Sequence, residues 1–139
     1  INDNKTNINH LNYGCSSNQT YKGILTDNAK ASYLSKTFVD KQGQKTDAYQ
    51  LSKVILLSED AYFHSKPELK IYADDVKCSH GSSTGELDDD ALFYLQTRGI
   101  DSETAKSLLI QGFSNEIIEK VKPISVQDYI PNQFTDWLS

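Results

Sequence analysis

The chain has 139 residues, of which 37% are hydrophobic and 24% charged, and its formal net charge is −5. This length allows one hydrophobic core, so we expect one domain with at most a small appendage. The sequence contains no cluster of Lys and Arg of the kind that binds a phosphate backbone, which argues against nucleic acid as a partner. Neither an apolar run of ~20 residues nor a secretory signal is evident, so we expect an intracellular protein that does not bind membranes.

Two further features of the composition bear on the origin of the chain. Cys15 and Cys78 do not make a disulfide framework, and such a pair can stay reduced in a cytosol. The sequence starts with Ile1 and contains no Met, so we expect it to be a piece of a longer protein.

The first half of the chain reads as β structure. Residues 1–18 are rich in Asn and Ser and are predicted to form a loop or a frayed edge. Short β-rich runs then predict strands over residues 21–25, 31–39, 48–58, 62–63 and 69–76. A weak repeat places Ala31, Ala48 and Ala61 each four residues before Ser-Lys. That repeat suits a strand solenoid, but the strand texture alone fits a sandwich or barrel better.

The pattern becomes helical after residue 85. Asp88 is expected to cap a first helix that Gly99 terminates, and a second helix is expected to begin near Asp101. One or two short helices are predicted over residues 125–138. The second helix carries an apolar stripe of period 3.6, made of Ala105, Leu108, Leu109, Phe113, Ile117 and Val121.

The residues best suited to chemistry lie between Ile71 and Gly81, where Cys78 and His80 follow Asp74 and Asp75. In an extended strand residues i and i+2 point to one face, so the thiol and the imidazole could act on one metal or one sulfur species. Thiolate and imidazole suit zinc or iron, whereas at most one of the two adjacent carboxylates can share their face. The alternative is that Cys78 is a small buried hydrophobe.

Two other interpretations of this pair remain open. A zinc site needs more ligands, and only Cys15, His10 and His64 remain as Cys or His donors, so the zinc signal is weak. A stand-alone Cys-His thiol enzyme would use the imidazolium to lower the thiol pKa, but no orienting third group is evident. The sequence has no Gly-rich phosphate loop, so we expect this chain to bind no nucleotide.

Several short motifs occur in a characteristic order between residues 19 and 113. They read QTYKGIL at 19–25, QKTDAYQ at 44–50, ILLS at 55–58, KPELKI at 66–71, ADDVKCSHG at 73–81, GELD at 85–88, LFYL at 92–95 and RGI at 98–100. Together they closely resemble the SufB/SufD family of iron-sulfur cluster assembly proteins. Within that family, KCSHG at 77–81 resembles the SufD branch.

The resemblance implies both a fold and a role. The fold would be the final coils of a right-handed parallel β-helix over residues 1–85, followed by a small α-helical subdomain over 86–139. The role would be that of a non-enzymatic scaffold, which pairs with a SufB-like subunit through the β-helix and binds a SufC-like ATPase through the helical part. Cys78 and His80 would face SufB and help to hold iron or a transient iron-sulfur cluster.

The resemblance has three further implications. ATP hydrolysis would take place in the partner ATPase, and residues 87–121 would form its docking segment. An open solenoid end leaves unpaired strand edges, so the isolated chain could form a homodimer. The location would be the bacterial cytoplasm, or a plastid in a eukaryote.

Overall fold

A computed structural model of the protein describes residues 1–122, 126–127 and 129–130. The short helices predicted over 125–138 lie largely outside these residues. The chain divides into two compact units, Ile1–Glu86 and Leu87–Ser139. The described elements are six strands, β1 (Asn2–His10), β2 (Ser16–Leu25), β3 (Lys30–Val39), β4 (Asp47–Leu56), β5 (Tyr62–Ile71) and β6 (Lys77–Gly85), followed by two helices, α1 (Asp89–Thr97) and α2 (Ser102–Ile118).

Successive strands alternate between two parallel sheets, with the orders β1-β3-β5 and β2-β4-β6. The chain therefore leaves one sheet, forms a strand of the other and returns one position further on. Accordingly Ser16 lies beside Asp47, and Asp47 lies beside Lys77. These are the coils of a parallel β-helix, as the family resemblance implies. The sandwich or barrel that the strand texture favours is wrong, because similar short strands stack in register from coil to coil.

The loop predicted over residues 1–18 is wrong, because β1 and the start of β2 occupy most of it. Asn-rich segments rarely bury enough apolar surface to order a chain. Here, parallel pairing with β3 orders the backbone of β1, and polar side chains join the two sheets. Thr6 Oγ1 donates a hydrogen bond to Gln19 Oε1 at 2.9 Å.

The strands predicted over 62–63 and 69–76 are one strand, β5, followed by a turn. Pro67 does not interrupt β5, because β5 is at the edge of its described sheet, where a missing N–H need not break a ladder. Asp74 and Asp75 lie in the turn, and the chain resumes extended structure at Lys77. Strand β6 was therefore not predicted as a separate element.

One end of the interior between the two sheets is apolar. The rings of Tyr21 and Tyr33 stack with centroids 4.2 Å apart, and Phe63 lies 5.9 Å from Tyr21. Burying a large side chain of this kind contributes about 1.5–3 kcal/mol. The buried cluster consists of Leu25, Ala31, Tyr33, Val54, Ala61 and Phe63. This apolar cluster lies at one end of the interior, and the buried polar side chains lie towards the other end.

The predicted cap of α1 at Asp88 is present, and α2 begins where predicted, with Asp101 as its cap. The Asp88 carboxylate accepts a hydrogen bond from the Ala91 N–H at 3.0 Å, and Asp101 accepts one from the Thr104 N–H at 3.0 Å. Gly99, just after α1, has φ +87°, which few other residues adopt without strain. No helix in residues 1–122 or the four described beyond them has the length and hydrophobicity needed to cross a membrane.

The apolar stripe predicted on α2 is only partly correct. Ala105 is buried as predicted, but Leu108 is 44% exposed. Ile110 and Ser114, which lie outside the predicted stripe, are buried instead. Ser114 can be buried because its hydroxyl donates to the Ile110 carbonyl at 3.0 Å, so no polar group is left unpaired.

Candidate functional site

Cys78 and His80 both lie in β6, on the same face of the strand. In the parallel pairing with β4, Cys78 lies beside Ala48 and His80 lies beside Gln50. Ala48 and Gln50 are 1% and 2% exposed, so this face of β4 is turned towards the interior. Because register partners point to one side of a sheet, Cys78 and His80 continue that interior face at the last described coil.

The two side chains differ in exposure. Cys78 is half-buried and His80 is exposed, because β6 is an edge strand that no other described strand covers. Burial raises the pKa of the Cys78 thiol, and the charge of Asp47 raises it further, against a lowering by the backbone of Ala48. The free thiol is therefore protonated at neutral pH. An activated catalytic cysteine needs a lowered pKa, so the direction of this shift does not favour a stand-alone thiol enzyme.

A column of polar side chains leads through the interior to His80. Gln19, Gln50 and His80 occupy neighbouring positions on β2, β4 and β6. Thr37 Oγ1 accepts hydrogen bonds from both amides, from Gln50 Nε2 at 2.5 Å and from Gln19 Nε2 at 3.3 Å. Ser35 Oγ donates to Gln50 Oε1 at 3.1 Å. We call Gln19, Ser35, Thr37 and Gln50 the polar ladder, and His80 is the next position beyond it.

The remaining Cys and His donors lie elsewhere in the fold. Cys15 precedes β2 and, like Cys78, is a free thiol. His10 is buried in β1, where Nε2 lies 2.9 Å from Ser17 Oγ. His64 lies beside Ser32 on the outer face of β5. Within the described part of the chain, no three His, Cys, Asp or Glu side chains come together as a metal site.

The two aspartates before Cys78 belong to the turn and not to the pair. The Lys45 ammonium lies 2.5 Å from Asp75 Oδ2, and the Lys45 N–H donates to the Asp75 carbonyl at 2.6 Å. Asp75 thus joins the turn after β5 to the turn before β4. Asp75 therefore has a structural role in the turn.

These features define a class of protein. It is a parallel β-helix that presents a thiol and an imidazole side by side on an exposed edge strand. The donors are those that iron and sulfide chemistry uses. A metal ion held by these two donors alone would have further coordination positions for other ligands.

Comparison with known proteins places the chain within this class. Residues 1–113 match the family model described as SUF system FeS cluster assembly, SufBD core domain. The iron-sulfur cluster assembly protein SufD of Escherichia coli is 37% identical over 120 residues, which is 86% of this chain and 28% of that protein. An iron-sulfur cluster assembly SufBD family protein of Synechocystis is 41% identical over 110 residues, 79% of this chain and 24% of that protein.

A plant relative extends the comparison. Protein ABCI7, chloroplastic, of Arabidopsis thaliana is 42% identical over 117 residues, which is 84% of this chain and 25% of that protein. The chain belongs to the SufBD family of SUF iron-sulfur cluster assembly proteins. It spans about a quarter of the length of the curated relatives that it matches.

Cys78 and His80 stand out in the sequence, whereas the polar ladder does not. Along the chain, Gln19 precedes Gln50 by about one coil, and Gln50 precedes His80 by about one coil. That spacing is the one signal that could have found them. It becomes informative only after the coil length is known.

Proposed function

We propose that this chain is the SufD-like part of a SUF assembly scaffold and has no catalytic activity of its own. Cys78 and His80 would hold iron or a nascent iron-sulfur cluster together with ligands from a SufB-like subunit. The observation that carries this proposal is the side-by-side placement of the two donors on the open edge strand β6. The cluster is the cargo of the scaffold, and it leaves for acceptor proteins.

The exposed edge of β6 supports a second subunit as the source of the missing ligands. Cluster iron is usually bound by thiolates, with imidazole in some sites. In the residues that the structure describes, no third donor joins the pair. An edge strand also offers unpaired N–H and C=O groups to another chain. A SufB-like subunit at this edge would meet both the backbone and the two ligands.

Iron and sulfide analysis of the purified complex tests this role. The chain is co-expressed with SufB-like and SufC-like partners, and the complex is compared with complexes carrying Cys78→Ser or His80→Ala. We expect each substitution to reduce bound iron and sulfide severalfold without dissociating the subunits. Cys15→Ser and His64→Ala are matched controls and should leave both contents unchanged. Normal cluster yield from a Cys78→Ala, His80→Ala double variant would refute the ligand role.

The exposed apolar surface of the helices supports the docking of a SufC-like ATPase on residues 87–121. Phe93 and Tyr94 on α1 are 68% and 57% exposed, and Leu108 on α2 is 44% exposed. Large apolar side chains in water often mark an interface. We expect Phe93→Ser with Leu108→Ser to weaken pull-down of the ATPase, whereas Tyr13→Ser, which changes an exposed aromatic residue before β2, should not. Undiminished capture by the double variant would refute this docking site.

The family assignment supports four further proposals. The β-helix is right-handed, as parallel crossover connections are in about 98% of cases. Its coils form a domain over residues 1–85, and residues 86–139 form the helical subdomain. The protein acts in a bacterial cytoplasm or in a plastid. Without its partner the chain forms a homodimer through the open edge, which sedimentation of the isolated chain would detect as a doubled mass.

A further inference from the structure

The outer face of the β1-β3-β5 sheet carries a basic cleft of about 490 Å³. Apart from Ser35, its lining side chains point away from the interior and from the cluster site, so it is separate from the proposed scaffold function. Two neighbouring columns of side chains form most of the cleft. One column is Lys5, Leu34 and Lys66, and the other is Asn7, Lys36 and Glu68. We call these six residues the basic cleft.

The charges of the basic cleft are unbalanced. Adjacent strands are about 4.8 Å apart, so the Cα atoms of Lys5 and Lys66, on either side of Leu34, are about 10 Å apart. In the described residues neither lysine has a carboxylate within 4.0 Å. Glu68 is the one carboxylate among the described lining residues, and its Oε1 lies 3.3 Å from Lys70 Nζ. The cleft therefore has a net positive charge that the described part of the chain does not neutralise.

The electrostatics of Glu68 support this picture. Its hydrogen bond with Lys70 is the main cause that lowers its pKa, and the nearby charges of Lys36 and Lys66 lower it further. The Glu68 carboxylate thus lies near the ammonium groups of Lys36, Lys66 and Lys70. Further carboxylates brought into the cleft would meet an attractive potential.

The shape and composition of the cleft indicate the kind of ligand. Leu34 is a half-buried apolar side chain on the floor between two lysines. Asn7 offers amide donors and acceptors that suit a peptide backbone. A nucleic acid would gain little from Leu34 and would be repelled by Glu68. A peptide with an apolar side chain between two carboxylates would pair the carboxylates with the two lysines and pack the apolar side chain on Leu34. Its backbone would hydrogen-bond to the Asn7 amide.

We propose that the basic cleft binds an acidic, extended segment of a partner protein, with one apolar side chain against Leu34 and flanking carboxylates on Lys5 and Lys66. The partner is identified by this chemistry and is distinct from a subunit that binds the β6 edge. Charge complementarity of this kind accelerates association and fixes register more than it adds raw affinity. Binding should therefore weaken steeply with salt.

Fluorescence anisotropy with a labelled peptide containing Glu-Leu-Glu tests the proposal. The full chain should bind this peptide at low salt and should bind a Gln-Leu-Gln analogue at least about tenfold more weakly, a difference of about 1.4 kcal/mol. Lys5→Glu with Lys66→Glu should abolish binding, and Lys5→Gln with Lys66→Gln should weaken it. Lys53→Glu reverses a charge on the outer face of the other sheet and should have little effect. Circular dichroism melts check that each variant is folded.

Four results would overturn the proposal. One is equal affinity for the acidic peptide and its amide analogue. Another is unchanged binding by the Lys5 and Lys66 charge-reversal variant. A third is tighter binding of single-stranded RNA than of the acidic peptide, which would point to a polyanion site. The fourth is competition between the peptide and self-association of the chain, which would make the occupant a second copy.

Discussion

Gln50 of β4 lies directly beside His80 of β6, and the two residues differ sharply in their surroundings. The Gln50 amide is buried and held by Ser35 and Thr37, whereas the imidazole is exposed. The fixed polar layer thus ends at Gln50, and the next side chain in the column, His80, is exposed. In the proposed function, this fixed layer would support one side of a site that a second subunit completes.

The first prediction concerns Gln50→Leu. Removing the amide leaves the hydroxyl of Ser35 without its acceptor in the interior, and Thr37 loses one of its two donors. An unsatisfied buried polar group costs about 1–3 kcal/mol, so we expect a loss of this size in the free energy of unfolding measured with urea. Gln42→Leu, at an exposed position in the turn after β3, is the control and should have a much smaller effect. Equal stability of the Gln50 and Gln42 variants would show that the polar ladder contributes nothing.

The second prediction concerns Gly43, in the turn between β3 and β4. A Cβ at this buried position would lie 2.7 Å from Val39 Cγ1 and 3.0 Å from the Asp40 carbonyl oxygen. We expect Gly43→Ala to destabilise the protein by about 1–3 kcal/mol, as overpacking typically does.

The matched control for this substitution is Gly112→Ala, in helix α2. A Cβ at Gly112 has no heavy atom within 4 Å outside its own helix and its chain neighbours. Alanine favours a helix over glycine by about 1 kcal/mol, so this variant should be at least as stable as the parent. Thermal unfolding of both variants measures the contrast. A Gly43→Ala variant as stable as the parent would contradict the close packing of the turn.

The third prediction concerns pH and His10. Burial lowers the pKa of this imidazole below its ordinary value of 6.5. Between the lowered native pKa and 6.5 the unfolded chain binds a proton that the native chain does not, so stability rises with pH. This contribution is fully present above pH 6.5 and is lost as the pH falls below that value.

Urea unfolding between about pH 5 and 7, the range in which histidines titrate, measures this dependence. We expect the slope of stability against pH to be smaller in His10→Gln, which removes the titrating group, than in the parent. The substitution Gln42→Leu, which removes no titratable group, is the control and should leave the slope unchanged. A parent and a His10→Gln variant with the same slope would contradict the assignment.

The placement of Cys78 and His80 on one strand face could be predicted from local sequence alone. Cys78 and His80 stand out because a thiol and an imidazole two residues apart share a face in any strand. The cap at Asp88 and the start of α2 near Asp101 could also be predicted, because helix capping depends on local chemistry. These features need no knowledge of contacts between distant residues.

Features that depend on distant contacts could not be predicted from local pattern. The Asn-rich β1 is a strand only because β3 pairs with it and polar partners meet its side chains. The weak repeat was also misleading at single positions, since Ala31 pairs with Phe63 and not with Ala61. Gln50 reads as an ordinary polar residue until the register places it beside His80.

Pulsed electron paramagnetic resonance of the assembled complex tests the central claim most directly. Only this chain carries ¹⁵N-histidine, and the complex is prepared with its cluster in a paramagnetic state. We predict a ¹⁵N hyperfine coupling of a size typical of a metal-bound imidazole, present in the parent and in His64→Ala and absent in His80→Ala. A cluster with no ¹⁵N coupling from this chain, or one whose coupling survives His80→Ala, would contradict a shared site at the β6 edge.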